Sequence, residues 1–219
     1  MERAAFLETL RRQLHRAPGP PASPVPRSPA TQRTLDDQER LALFVARLQA
    51  LGVMASVVPA LEDAQAAIER LALDRGWLSI SCAAPLRWPA IADRWKADPR
   101  EAPFGLAEAE LAVAETGTLL LTNHGPFRRG HSLLPPSIGL VVPRARIVTG
   151  FGDALRWIAA QGPELPACLS FITGPSNTAD IASVQVVGVH GPGEVFVWVV
   201  ANDEVEESST DGPADAGRA

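Results

Sequence analysis

Two polar loops that are rich in glycine contain the residues best suited to bind or transform a small molecule. In the first loop, Glu115 precedes Thr116, Gly117 and Thr118, and apolar stretches lie on both sides. The Glu115 carboxylate could act as a general base, while the hydroxyls and the backbone amides of a tight turn could hold an anion. The alternative is a plain hairpin turn whose threonine hydroxyls satisfy the backbone.

The second loop runs from Gly174 through Pro175, Ser176, Asn177, Thr178 and Ala179 to Asp180, directly after an apolar run. Its composition is typical of an anion-binding nest, and the candidate ligand-binding residues are Gly174, Ser176, Thr178 and Asp180. A helix or turn cap formed by Ser176 or Asn177 explains the same residues. The loop lacks the ending of a Walker motif, and the chain has no Gly-x-Gly-x-x-Gly sequence.

A third segment, residues 123–132, combines glycines with basic side chains. Arg128 could bind a carboxylate or a phosphate through its forked donors, and His131 could transfer protons near neutral pH. His124 and His131 lack a third partner at metal-ligand spacing, so we predict no metal site. His190 stands at the mouth of a later Gly-Pro turn and is a further candidate ligand-binding residue.

The elements that must position these loops follow from the spacing of apolar residues. Thr34 followed by Asp37 predicts the start of a helix that ends at Gly52, and a second helix ends at Gly76. Strands are predicted at 53–58, 77–82, 112–114, 118–122, 138–142, 147–149, 168–173, 184–189 and 195–200, with one more helix near 152–161.

Alternation of helices and apolar strands predicts an α/β fold with a mostly parallel sheet and flanking helices. In such sheets ligands bind beyond the carboxyl ends of the strands, so polar loops that directly follow strands are the expected sites. We expect an N-terminal helix at 1–16, a proline-rich linker at 17–33, an α/β domain at 34–201 and an acidic disordered tail at 202–219.

Charge and composition exclude several classes of function. The net charge of −5 comes from the last nineteen residues, which carry six acids and one base. The rest of the chain is neutral, so we do not expect it to bind nucleic acid. No apolar run approaches the ~20 residues of a membrane span, and the N-terminus lacks a signal-peptide pattern, which predicts a cytoplasmic protein. Cys82 and Cys168 lie in strand-like runs, as reduced core residues do.

Three of the motifs together resemble the lactate-utilisation (LUD-domain) family, in particular its C-subunit members. They are 114–118, 132–135, and 174–181 continuing to 188–192, and the resemblance extends over about residues 35–200. It implies a fold like that of ribose-5-phosphate isomerase, glucosamine-6-phosphate deaminase and the coenzyme A transferases. It also implies a role with iron-sulphur partner proteins in oxidising L-lactate to pyruvate.

Two positions depart from the pattern of the family. A basic residue that is common after Gly-Pro-Ser is here Asn177, and a histidine that usually follows the Leu-Leu-Pro segment falls at Ile138. Both changes weaken the expectation that an anionic substrate is bound in the same way.

The chain has no cysteine cluster, so it is expected to hold no iron-sulphur centre, and such clusters are expected on the partner proteins. The ligand expected for this chain is a small carboxylate or phosphate, with Glu115 and His131 as catalytic candidates and Arg128 and Ser176 as binding candidates. Two alternatives stay open. The protein could be a stand-alone enzyme or a metabolite-binding protein for a sugar phosphate, an acyl-coenzyme A or a folate-like ligand.

Overall fold

The computed structural model describes residues 3–14, 34–82, 88, 94–96, 98–123, 129–162, 165–179 and 185–202. The chain divides into two units, Met1–Gln32 and Arg33–Ala219. In the first unit, helix α1 (Arg3–Gln13) exposes Phe6 and Leu10. The predicted linker at 17–33 and the predicted tail beyond Asn202 lie outside the described residues, so the proposed division into domains stays a prediction.

The second unit contains the remaining helices and all of the described strands. Its helices are α2 (Asp37–Ala50), α3 (Leu61–Asp74), α4 (Gly130–Leu133) and α5 (Phe151–Ala160). The first strands are β1 (Met54–Val58), β2 (Ile80–Cys82), β3 (Trp95–Lys96), β4 (Phe104–Glu108), β5 (Leu111–Val113) and β6 (Thr118–Thr122). They are followed by β7 (Ser137–Pro143), β8 (Ile147–Val148), β9 (Leu169–Ile172), β10 (Asn177–Ala179), β11 (Gln185–Val187) and β12 (Glu194–Val200).

Six strands form the main sheet in the order β1-β12-β7-β4-β2-β3, and every neighbouring pair is parallel. This confirms the predicted α/β fold with a mostly parallel sheet. A second, mixed sheet has the order β8-β5-β6-β9, with β6 antiparallel to both β5 and β9. Strands β10 and β11 pair separately as an antiparallel hairpin.

The main sheet is buried on both faces, which explains why its strands are continuous apolar runs. On one face, the apolar side of α3 packs against aromatic side chains of β4 and β12. On the other face lie α2 and the mixed sheet, and α5 packs against the far side of the mixed sheet. The residues of these three clusters include Ile68, Phe104 and Phe196; Phe44, Leu121 and Val197; and Leu120 and Ala154.

Helix α2 begins two residues after the predicted position. Asp36, not Thr34, is the N-cap: its carboxylate accepts a 2.8 Å hydrogen bond from the Glu39 amide, and the Glu39 carboxylate accepts one from the Asp36 amide. The predicted cap was wrong because Thr34 and Asp36 both precede an acid by three residues, and the spacing alone cannot choose between them. Gly52 and Gly76 do end their helices with positive φ angles of 74° and 65°.

Replacing Asp36 with alanine should lower the free energy of unfolding by about 1 kcal/mol, because the Glu39 amide in the first turn loses its acceptor. Urea unfolding followed by circular dichroism measures the change. Asp36→Ser, which keeps a capping oxygen, is the control and should retain most of the stability. Equal losses in the two variants would contradict the capping role.

Two strand predictions need correction. The strand predicted to begin at Trp77 begins at Ile80, because the Trp77 amide donates to the Ala72 carbonyl and is still part of the end of α3. Strand β4, which lies between β7 and β2, was not predicted. Cys82 and Cys168 do not form a disulfide in the described structure, and Cys82 is buried while Cys168 is half-buried. Among the described residues, no helix combines the length and apolar character needed to cross a membrane.

Candidate functional site

A pocket of about 180 Å³ opens between the main sheet and the mixed sheet. Its base is formed by Ile138 and Val195, near the amino ends of the parallel strands β7 and β12. The remaining lining comes from α4, the end of β9 and the loops that follow β9 and β11. These residues are Ser132, Leu133, Phe171, Ile172, Thr173, Gly174, Ser176, His190, Gly191 and Pro192.

The pocket does not lie where the rule for parallel sheets predicts a ligand site. The pocket lies at the amino ends of β7 and β12, not beyond the carboxyl ends of the parallel strands. The pocket lies there because β9 of the mixed sheet ends above β7 and β12 and brings its following loop to them. Residues of the loop that directly follows β9 line the pocket, namely Thr173, Gly174 and Ser176.

The loop after β9 is a link between strands. Gly174 adopts a positive φ of 77°, and the chain then enters β10 at Asn177. The Ser176 amide donates to the Pro192 carbonyl at 2.8 Å, and the Ser176 carbonyl accepts from the Gly188 amide at 2.9 Å. The Ser176 backbone is therefore used to join two loops, and its amide does not point to an anion. No helix follows the loop within the described residues, so the helix cap is not formed there.

Three predicted ligand-binding residues meet in the pocket: Gly174, Ser176 and His190. Gly191 packs against Ser176, and a Cβ at position 191 would make ordinary contacts, 3.4 Å from the Ser176 Cβ and 3.6 Å from its hydroxyl oxygen. Thr178 lies in β10, where its side chain is outside the described part, and Asp180 and Arg128 also lie outside it. The binding roles of all these residues stay predictions.

The loop around Glu115 is a tight turn between β5 and β6, and none of its residues lines the pocket. Gly117 has a φ of 67°, and its amide donates to the Val113 carbonyl at 3.0 Å. The Thr116 and Thr118 hydroxyls are 2.7 Å apart and hydrogen-bond each other. Glu115 is exposed, and its carboxylate lies beside Gly150, the N-cap of α5.

The two glycine-rich loops are nevertheless neighbours in space. Gly117 and Gly174 both approach Leu51 at the end of α2, where an added Cβ would lie 3.1 Å and 3.2 Å from its side chain. The Thr118 hydroxyl also bonds the Thr173 hydroxyl at 2.8 Å. Sequence reasoning missed Leu51 and Thr173, because neither residue stands out from its local pattern.

Helix α4 forms one side of the pocket, and its two polar residues have different environments. Ser132 lines the pocket. His131 is buried, with 6% of its surface exposed, and its Nδ1 lies 2.6 Å from the Ser81 hydroxyl on β2. His131 is not among the lining residues, so the structure separates this catalytic candidate from Ser176 and His190. His124 lies outside the described residues.

The charge of the pocket is set by few groups. Its described lining has no acid, lysine or arginine, and His190 is its titratable side chain. The remaining polar groups are hydroxyls and backbone amides and carbonyls. Within the part of the chain that the structure describes, no three histidine, cysteine or acidic residues lie close enough to hold a metal ion.

Curated proteins are similar to about half of this chain. Lactate utilization protein C 1 of Bacillus mycoides (strain KBAB4) is 40% identical over 108 residues, which are 48% of this chain and 46% of that protein. Lactate utilization protein C of Bacillus subtilis (strain 168) is 40% identical over 109 residues, 45% of each protein. The chain thus matches about half the length of these curated relatives.

A solved structure shows the same fold. The crystal structure of a DUF162 family protein from Deinococcus radiodurans aligns with a TM-score of 0.62 at 24% identity, and it covers 77% of this chain and 100% of that chain. The family model of the LUD domain matches residues 88–200, which is more than half of the sequence and includes every residue that lines the pocket. On this evidence, and in agreement with the resemblance of its motifs, the chain belongs to the LUD domain family.

Proposed function

We propose that this protein is a component of a lactate-utilisation system that oxidises L-lactate to pyruvate, and that its pocket binds one of these small acids. The observation that carries the proposal is the 40% identity to proteins named lactate utilization protein C. The pocket supports it, because all of its lining residues fall within the LUD-domain match.

The size of the pocket favours a small ligand over the alternatives. At about 180 Å³, the pocket is smaller than the roughly 300–1,000 Å³ of sites that enclose drug-sized molecules. Lactate and pyruvate have few heavy atoms and fit this scale. An acyl-coenzyme A or a folate would have to leave most of its atoms outside, so the pocket gives these ligands less support.

The polar groups of the pocket suit a hydroxy acid. Hydroxyls such as that of Ser176 can donate to a carboxylate, and His190 can do so when protonated. Oxidation of lactate to pyruvate releases two electrons and two protons: the neutral imidazole of His190 can accept the hydroxyl proton, while the electrons would pass to the partner protein and the proton from C2 to solvent. We therefore assign ligand binding to Ser176 and proton acceptance to His190.

The proposal places iron-sulphur clusters on partner proteins. A cluster of the common types needs four cysteine ligands, whereas this chain has two cysteines, Cys82 in β2 and Cys168 beside β9. The residues present therefore do not fit such a group. Electrons released from lactate would pass to clusters on another protein of the system.

We also propose that the fold is related to that of ribose-5-phosphate isomerase, glucosamine-6-phosphate deaminase and the coenzyme A transferases. The parallel main sheet with helices on its faces supports this relation. Related folds carry many chemistries, so the proposed function depends on the pocket and on the curated relatives, not on the fold.

The test of the function uses the host organism. Deleting the gene should abolish growth on L-lactate as the sole carbon source while leaving growth on pyruvate intact, and a plasmid copy should restore it. An affinity-tagged copy should purify with a cysteine-rich iron-sulphur protein and with lactate-dependent dye reduction. Unimpaired growth on L-lactate after deletion would refute the proposal.

Ser176→Ala and His190→Gln should each weaken the binding of L-lactate or pyruvate by about two- to tenfold, because each removes one hydrogen bond to the ligand. Isothermal titration calorimetry of the purified chain measures the change. Ser170→Ala is the matched control, since Ser170 lies on β9 but does not line the pocket. Loss of affinity in Glu115→Gln, with Ser176→Ala unaffected, would place the site at the other loop.

A further inference from the structure

We propose that Ser81 is a positioning residue: through its hydrogen bond to His131 it holds helix α4 against the main sheet and so sets the shape of the pocket. His131 then acts as the link between Ser81 and the pocket and not as a catalytic residue. The inference rests on the proposed function for the identity of the ligand. Its structural part rests on contacts that are independent of that ligand.

The register of the main sheet places Ser81 in the same row as the base of the pocket. Ser81 of β2 is paired with Gly105 of β4, which is paired with Ile138 of β7, which in turn is paired with Val195 of β12. Residues paired in this way share one face of a sheet. Ile138 and Val195 form the base of the pocket, so Ser81 lies on the same row, on the far side of β4 from the pocket.

Helix α4 lies over the same row of residues. The helix rests on the backbone of Gly105, where an added Cβ would overlap the carbonyl oxygen of His131 and lie 3.1 Å from Pro135 Cγ. Pro99 also touches the start of the helix, since a Cβ at Gly130 would lie 3.2 Å from Pro99 Cγ. The short helix thus lies above β4, between Ser81 on one side and the pocket on the other.

The side chains of His131 and Ser132 leave α4 in different directions. Consecutive residues of a helix point about 100° apart. His131 can therefore contact Ser81 while Ser132, the next residue, lines the pocket on the other side. A displacement of the α4 backbone at His131 also moves Ser132 and Leu133, which contribute this side of the pocket.

The contact is specific because both partners are buried. Ser81 is fully buried and His131 is 6% exposed, with 2.6 Å between the hydroxyl oxygen and Nδ1. Water cannot readily replace a partner lost inside the protein, so the pair favours one orientation of the imidazole ring. Ser81 thus acts together with the Gly105 backbone and Pro99 to orient α4.

Ser81→Ala is the direct test, with Ser79→Ala as the matched control and Ser81→Thr as the conservative variant. Ser79 is also buried and bonds the Glu101 carbonyl instead of α4. We expect Ser81→Ala to bind pyruvate or L-lactate about five- to tenfold more weakly and Ser81→Thr to recover most of the affinity. Ser79→Ala should lose stability without losing affinity. Unchanged affinity in Ser81→Ala, with stability lowered as in Ser79→Ala, would overturn the inference.

A second readout separates this inference from the proposed function. In heteronuclear NMR spectra without ligand, Ser81→Ala should shift the amide resonances of Ser132 and Leu133, whereas Ser79→Ala should leave them in place. If the wild-type chain binds neither acid, the assignment of the ligand fails, and these shifts alone decide whether Ser81 positions α4. Unmoved resonances in Ser81→Ala would overturn the positioning role.

Variants of His131 keep the inference testable if Ser81→Ala does not fold. The asparagine side chain places a hydrogen-bonding group near the position of Nδ1 but cannot transfer protons as imidazole does. His131→Asn should therefore retain most of the affinity and the lactate-dependent dye reduction of the complex, while His131→Leu loses both. Loss of dye reduction in His131→Asn with affinity retained would show a catalytic histidine and overturn the positioning role.

Discussion

Replacing Gly105 with alanine is expected to abolish the binding of L-lactate and pyruvate and to destabilise the fold. A Cβ at this position would overlap the carbonyl oxygen of His131, a backbone atom that cannot move without the rest of α4. Overpacking of this kind costs about 1–3 kcal/mol, and more where backbone must shift. The helix would be displaced from β4, and Ser132 and Leu133 would leave the pocket with it.

Calorimetry for ligand binding and urea unfolding for stability together measure both effects of Gly105→Ala. Gly152→Ala is the control, because among the described residues the nearest atom to a Cβ there would be in the Arg156 guanidinium, at 3.7 Å. Gly152 lies in α5, where alanine should stabilise the helix by about 0.5–1 kcal/mol. Wild-type affinity in a folded Gly105→Ala variant would show that α4 does not need its close approach to β4.

Phe104→Ala is expected to remove about 3–5 kcal/mol from the free energy of unfolding, the usual range for a buried phenylalanine. Phe104 is fully buried and stacks on Trp77 at 4.7 Å between ring centroids, with Phe196 at 6.0 Å edge to face. These contacts lie on the face of the main sheet that α3 covers. Alanine would leave a cavity among rigid aromatic rings that cannot collapse to fill it.

Thermal unfolding by calorimetry tests the cost of Phe104→Ala, and Phe104→Leu, which retains most of the volume, should lose much less. Because Phe104 faces α3 and the pocket lies on the opposite face of the sheet, the folded variant should keep wild-type affinity for its acid. A loss of stability below ~1 kcal/mol would contradict the packing described for this cluster.

The sequence pattern predicted most of the fold because helices and buried strands differ in the period of their apolar residues. It missed β4, where Gly105 and Glu108 interrupt a short run. That glycine weakens the strand signal and exists for a tertiary reason, the approach of α4. A local pattern cannot contain the requirement of a distant helix, so the central strand was not predicted.

The candidate site shows a similar limit. Glycines and polar residues after strands marked the loops of Gly174 and His190, which do meet in the pocket. The pattern could not show that the Ser176 amide bonds Pro192, or that the turn at Glu115 lies outside the pocket. These facts depend on which strands pair. One signal for Ser81 was available, a polar residue within an apolar strand.

The position of β12 has a consequence for how the protein acquires its structure during synthesis. This strand lies inside the main sheet and joins β1 to β7, yet it is the last strand along the described chain. Residues 54–58 must therefore wait for residues 196–200 before they can pair. Such distant pairing slows folding, so nascent chains that do not yet include β12 should remain bound to chaperones and sensitive to proteases on the ribosome. The pocket, whose base includes Val195, can form only after β12 has been synthesised.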